Sequence, residues 1–139
     1  LPVGWTDFTT SPQNAIVSSP FINRNEDPKG LYFGCDNGKL YKINAATGAL
    51  VWSYQTGGII RITPIVLIAG WTGAGADYVY FGSDDGYVYG VNAVTGASRN
   101  KFPINLGAAV RSGPTFDSGT NTITVGSTDG KVLRISVGP

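Results

Sequence analysis

Histidine is absent from this chain of 139 residues, and Cys35 is its one cysteine. Without histidine the commonest general base is missing, so a nucleophile–histidine pair cannot be assembled. With one cysteine there is no internal disulfide and no cysteine-based zinc cluster. Charge is scarce as well. Charged residues make up 14% of the chain and the net charge is +1, which leaves no electrostatic footprint for nucleic acid or an anionic membrane. No apolar run approaches the roughly 20 residues of a transmembrane helix. No signal peptide is present, although a mature chain would have lost one. Methionine is missing even at position 1; the expectation is a processed product or a piece of a longer protein.

Glycine is plentiful, with 20 residues, and it recurs in register. The stretch Leu31 to Gly48, Leu-Tyr-Phe-Gly-Cys-Asp-Asn-Gly-Lys-Leu-Tyr-Lys-Ile-Asn-Ala-Ala-Thr-Gly, returns from Val79 to Gly96, and a shortened copy runs from Ile123 to Ser136. Self-similarity at this spacing marks a repeat architecture. Each copy alternates apolar and polar residues, turns, and alternates again, the pattern of two half-buried strands. The turns are Asp36-Asn37-Gly38, Asp84-Asp85-Gly86 and Thr128-Asp129-Gly130, whose Asn-Gly and Asp-Gly steps supply the positive φ of tight hairpins. Gly34, Gly82 and Gly126 precede them, at a place that predicts a bulge or a close backbone approach.

Pro20, Pro64 and Pro114 each stand ahead of a hairpin. Proline is tolerated at the first residue of a strand or at an edge, which places a strand just after each one. The run Ala49 to Tyr54, after Thr47-Gly48, reads as a further strand. The unit is therefore four strands over about 40–50 residues, the signature of a β-propeller blade. The residues Gly82-Ser-Asp-Asp-Gly-Tyr-Val-Tyr-Gly-Val-Asn-Ala-Val-Thr-Gly96 resemble the repeat of the PQQ-like, quinoprotein-type propellers. Thr47-Gly48-Ala-Leu-Val-Trp52 is similar to that family's tryptophan-docking motif. The resemblance implies that Trp52 packs between blades, with Thr47, Gly48, Thr95 and Gly96 as docking positions. Asn100 stands where Trp52 would repeat, so docking there is expected to be weaker or to use Phe102.

The expected fold is all-β, about three four-stranded antiparallel blades, with residues 17–56, 60–104 and 110–139 as blades one to three. Residues 1–16 have the spacing to supply the outer strand of the third blade. Three blades do not close a ring, since propellers use roughly four to eight, and open sheet edges are a liability. The chain is then a piece of a longer propeller, one of two copies forming six blades, or a cleaved chain still held by its other part.

Among candidate site residues, Cys35 reads as a small buried strand-end residue rather than a reactive thiol. Asp36, Asp84, Asp85 and Asp129 belong to hairpin turns, and the spacing of a calcium loop is not present. Arg61 and Arg111 each stand three residues before a repeated proline. Arginine near a propeller axis needs a carboxylate or a ligand, so these two are the candidates for an anionic ligand or partner. Trp71, in the glycine-rich stretch between Val66 and Asp77, is either an exposed partner contact or a cap folded onto the core. The resemblance implies a site over the axis for PQQ with Ca²⁺, a catalytic Asp and adjacent cysteines, but that constellation cannot be assigned here, and fold does not imply function. Many members of the family are non-catalytic assembly factors, adhesins and sensor domains. The expected function is a non-catalytic binding or scaffold module, periplasmic or extracellular by resemblance, with a protein partner or a second copy and no cofactor. The alternatives are a fragment of a PQQ-dependent dehydrogenase and a self-assembling structural subunit.

Overall fold

The computed structural model describes residues 4–139. Eleven strands form three antiparallel sheets. The first sheet holds β1 (Phe21–Asn23), β2 (Gly30–Gly34), β3 (Lys39–Asn44) and β4 (Leu50–Gln55) in that order. The second holds β5 (Ile65–Leu67), β6 (Tyr78–Gly82), β7 (Tyr87–Asn92) and β8 (Ile104–Asn105), with a short helical turn α1 (Ala69–Thr72) between β5 and β6. The third has three strands, β9 (Thr115–Asp117), β10 (Thr122–Gly126) and β11 (Val132–Ser136), in the order β11-β10-β9. Each sheet is a blade, and the chain is an arc of β-propeller.

Strand alternation sends successive side chains to opposite faces, and in blades 1 and 2 both faces are buried. Tyr32 and Leu40 of blade 1 pack on Val79, Phe81, Tyr89 and Val91 of blade 2. Tyr80 and Val88, on the other face of blade 2, pack on Ile123, Val125, Ile135 and Val137 of blade 3. This stacking explains two of the repeated glycines. A Cβ on Gly34 would overlap the side chain of Ile60, and one on Gly82 would overlap Val110. Gly126 has no such neighbour: its nearest would be Ser112 Oγ at 3.3 Å.

The N-terminal segment does not lie where its spacing placed it. Residues 5–16 form no strand and do not join the third sheet; residues 1–3 fall outside the described part. Instead, Trp5 and Phe8 cover the face of blade 1 that points away from blade 2, against Phe33, Cys35, Tyr41 and Ile43. The Thr6 amide donates to the Thr47 carbonyl at 3.0 Å. Phe8 stands 5.3 Å from Tyr41 and 6.1 Å from Phe33, as Tyr54 stands 5.7 Å from Tyr89 and 6.2 Å from Phe81. The segment thus occupies the outer-strand place of a blade preceding blade 1. The physical reason is the aromatic face of blade 1, which is covered from this side by nothing else among the described residues. Blade 3 lies two sheets away.

The glycine contacts give a direct test. Gly34→Ala and Gly82→Ala should each cost about 1–3 kcal/mol through overpacking, whereas Gly126→Ala should cost well under 1. Urea unfolding midpoints of the three variants check this ordering.

Candidate functional site

In all three blades the hairpin turn is tied to the chain before the first strand by one backbone bond. Asp36 N–H donates to Ala15, Asp84 N–H to Ile59, and Thr128 N–H to Ala109. This tie sets Val17, Arg61 and Arg111 at matched places beside the turns. Both arginines converge on Asp84. Arg61 Nε donates to its Oδ2 at 3.1 Å, while Arg111 donates from Nε to Oδ1 at 3.0 Å and from Nη2 to Oδ2 at 3.1 Å. Burial alone would raise the Asp84 carboxyl, but the hydrogen bonds from Arg111 and Arg61 outweigh it and hold the group below its ordinary range. One carboxylate faces two guanidinium groups, so the cluster keeps a net positive charge. The Arg111 side chain is 53% exposed and that of Arg61 38%.

The other turn carboxylates serve the fold. Asp85 accepts from the amides of Gly57 and Tyr87 and from the Tyr89 hydroxyl. Burial and that last bond push the Tyr89 phenol up. Asp129 pairs with Ser127 and Lys131. In blade 1, Asp36 keeps a buried Oδ1 without a partner, because Arg61 reaches Asp84 instead. Cys35 is fully buried, with its thiol 3.3 Å from the Ala15 carbonyl. These residues do not fit the quinone site of the resembling family. Cys35 has no cysteine neighbour, and a calcium ion at Asp84 would have to displace two guanidinium groups.

The docking positions meet between sheets. Trp52 lies against Gly96, whose φ of 72° and missing Cβ admit the indole: a Cβ there would come within 2.9 Å of it. The indole Nε1 donates to the Ala93 carbonyl at 3.1 Å, and the ring stands edge-on to Tyr32 at 6.0 Å. Lys42 Nζ donates to the same carbonyl at 2.7 Å and to Glu26 at 2.8 Å. At Gly48 a Cβ would strike the Thr6 carbonyl oxygen first, with the Trp5 ring at 3.3 Å. Thr47 and Thr95 shape the loops. Thr95 Oγ1 accepts the Ala97 amide, and Thr47 Oγ1 accepts that of Ala49.

Asn100 does not take the place of Trp52 in blade 2; Arg99 takes its hydrogen-bonding place, and Phe102 packs 5.5 Å from Tyr80 as Trp52 packs 6.0 Å from Tyr32. In blade 1, Lys42 pairs with Trp52 across a register shift that skips Val51. Blade 2 lacks that bulge: Val91 pairs with Ser98, and the Arg99 amide donates to Gly90, the counterpart of Lys42. Counting residues from Thr-Gly therefore overshoots by one. Arg99 lies 4.6 Å over the Tyr78 ring, bonds the Tyr80 hydroxyl, and donates to the carbonyls of Val137, at 3.0 Å, and Gly138 in blade 3. Its one sequence signal was a cation following the repeated Thr-Gly.

Trp71 is 51% exposed on α1. Strand β6 runs from the loop carrying Trp71 to the turn carrying Asp84, so Trp71 and the arginine pair lie at opposite ends of the blade. Among the described residues no helix is long and apolar enough to cross a membrane.

No protein-family model matches the chain, and no curated protein matches it. Solved structures similar in fold include the following two. BamB from Moraxella catarrhalis is 20% identical with a TM-score of 0.65, over 88% of this chain and 34% of that one. The computationally designed Ika8 protein is 17% identical with a TM-score of 0.65, over 90% of this chain and 34% of that one. The chain thus spans about a third of each, and the likeness is one of propeller fold.

Two variants separate the docking positions. Arg99→Ala leaves carbonyls of blade 3 without their donor and should cost about 1–3 kcal/mol, while Asn100→Ala stays within about 0.5; thermal unfolding of both reads the difference. The depressed Asp84 carboxyl predicts an acid limb. Its stabilisation is fully present above the ordinary carboxylate value of about 3.9 and is lost as pH falls through the lower folded value. Urea midpoints from pH 6 to pH 2 should fall less steeply for Asp84→Asn than for the parent chain.

Proposed function

We propose that this propeller arc is a non-catalytic binding module that holds an acidic, extended segment of a partner protein at the mouth carrying Arg61 and Arg111. The observation behind this reading is the shared carboxylate. Asp84 fixes both guanidinium groups from one side and leaves a positive charge that it cannot neutralise. A guanidinium already held by a fixed carboxylate loses little side-chain freedom on binding, and its remaining N–H donors match a second carboxylate. The exposed Trp71 offers a separate contact at the opposite end, of the residue type that anchors interfaces. The resemblance to extracytoplasmic propellers supports a place outside the cytoplasm. No PQQ or calcium takes part in this reading.

Display of random ten-residue peptides on the purified chain tests it. The selected sequences should be rich in Asp and Glu, and their affinity should drop at least tenfold in the Arg61→Ala/Arg111→Ala variant. Selection that survives this variant, or that favours basic peptides, overturns the assignment. A saturable one-to-one complex with PQQ and calcium would replace it with the dehydrogenase-fragment reading.

A further inference from the structure

The hairpin turn of blade 1 repeats that of blade 2, but its aspartate is left without a cation. Asp84 holds two guanidinium groups, Arg61 from its own blade and Arg111 from the blade after. Asp36 stands at the same place in blade 1, its N–H tied to Ala15 as that of Asp84 is tied to Ile59. Among the described residues no cation pairs with its carboxylate, and Oδ1 is buried without a partner. The nearby cations are engaged elsewhere. Lys39 Nζ donates to the Ser11 carbonyl at 2.6 Å, and Arg61 turns to Asp84. A buried carboxylate oxygen that no donor meets costs free energy, so a cation supplied from outside has something to gain here.

Asp36 lines a cavity of about 240 Å³ between blades 1 and 2, together with Asn37, Gln55 and the segment Gly57 to Ile59. That segment is shared with the arginine cluster: the Ile59 carbonyl accepts the Asp84 amide, and the Gly57 N–H donates to Asp85. The side-chain donors of the cavity are already spent. Asn37 Nδ2 donates to the Pro12 carbonyl at 3.0 Å and to the Tyr41 hydroxyl at 2.8 Å. Gln55 Nε2 donates to the carbonyls of Asn37 at 3.3 Å and of Thr56 at 2.8 Å. The Thr56 hydroxyl lies 2.8 Å from the carbonyls of Gly38 and Gly58. What remains are acceptors, the Asp36 carboxylate and Gln55 Oε1. An anion meets no free side-chain donor in this cavity, whereas a cation with several N–H groups meets two acceptors.

We propose that this cavity takes an arginine side chain of the partner segment, beside the acidic residue that meets Arg61 and Arg111. The arginine's place on that segment rests on the proposed reading of the mouth; the selection of a cation does not. Asp84 shows the fit, since Arg111 bonds both oxygens of the aspartate at this place from Nε and Nη2. A guanidinium offers that planar pair of donors and an ammonium does not. The outer torsion of an aspartate is broad, so a small rotation turns Oδ1 of Asp36 toward the incoming group. Stacked sheets stand roughly 10 Å apart, and an extended chain rises about 3.3 Å per residue. The arginine therefore stands about three residues from the acidic residue. The mouth reads two opposite charges at a fixed spacing, which a uniformly acidic segment does not satisfy.

Titration of the isotope-labelled chain with N-acetylarginine amide, followed by heteronuclear NMR, tests the cation site by itself. The Gln55 side-chain amide and the Gly57 and Gly58 backbone amides should shift and saturate. N-acetylcitrulline amide, of the same shape but uncharged, should bind at least tenfold more weakly, a comparison that needs no variant to fold. Asp36→Asn should weaken the arginine probe by the same factor, while Arg61→Ala/Arg111→Ala should not weaken it. Equal binding of the citrulline probe, or shifts that persist in Asp36→Asn, overturns the proposal whatever peptide display gives. Peptides displayed against the parent chain should carry an arginine about three residues from Asp or Glu, and Asp36→Asn should lose the arginine and keep the acid. Selected peptides without an arginine overturn the proposal as well. Saturating shifts with the arginine probe, alongside selected peptides that lack the acid, would overturn the reading of the mouth and leave the cation site standing.

Discussion

The structure depends on close face-to-face contact between sheets, and the Ala93 carbonyl is where that contact is most demanding. It accepts from the Trp52 indole and from the Lys42 ammonium. A buried lysine is costly unless paired, and Glu26 at 2.8 Å supplies the counter-charge. The carboxyl of Glu26 also accepts from Tyr32, whose phenol is pushed up by burial and by that bond. An apolar strand face, a glycine without a Cβ and one backbone acceptor thus meet in a small volume. If the sheets stood slightly farther apart, the indole and the ammonium would lose their shared acceptor together.

The same stacking builds the mouth. Because the sheets stack so closely, the segment leading into one blade lies beside the hairpin turn of the blade before it. Arg111, entering blade 3, therefore reaches the same Asp84 that Arg61 reaches from within blade 2. The positive cluster is a product of blade spacing and could not form within a single blade. Its counterpart in blade 1 differs by one substitution: Val17 stands where Arg61 and Arg111 do, and Asp36 retains an unpartnered oxygen.

Much of this architecture was legible in the sequence. The glycine-marked hairpins, the strand after each proline and the Thr-Gly loops follow from local backbone rules that act within a few residues. What could not be read depends on register and on distant contacts. The bulge at Val51 shifts the outer strand by one residue in blade 1 alone, so counting from Gly96 pointed to Asn100 when Arg99 does the docking. The spacing of residues 1–16 marked an outer strand but could not say which sheet it would meet. The convergence of Arg61 and Arg111 was visible only as two matched positions; that they share one carboxylate is a fact of the third dimension.

The three docking junctions satisfy one geometry with different chemistry, and the differences have an energetic order. Trp52 combines a large apolar area with a hydrogen bond and sits beside a buried ion pair. Arg99 replaces area with charge: a guanidinium over Tyr78, bonded to two carbonyls of the next blade. Trp5 provides a ring against Gly48 on a segment that belongs to no sheet. The first junction rests mainly on the hydrophobic effect and the second on directed polar contacts that tolerate little displacement. The third holds only one strand's worth of chain in place. Local opening should run in the reverse of that order, with the N-terminal segment lifting from blade 1 before blade 2 parts from blade 3. The aromatic face of Phe33 and Tyr41 is then the first core surface the molecule exposes.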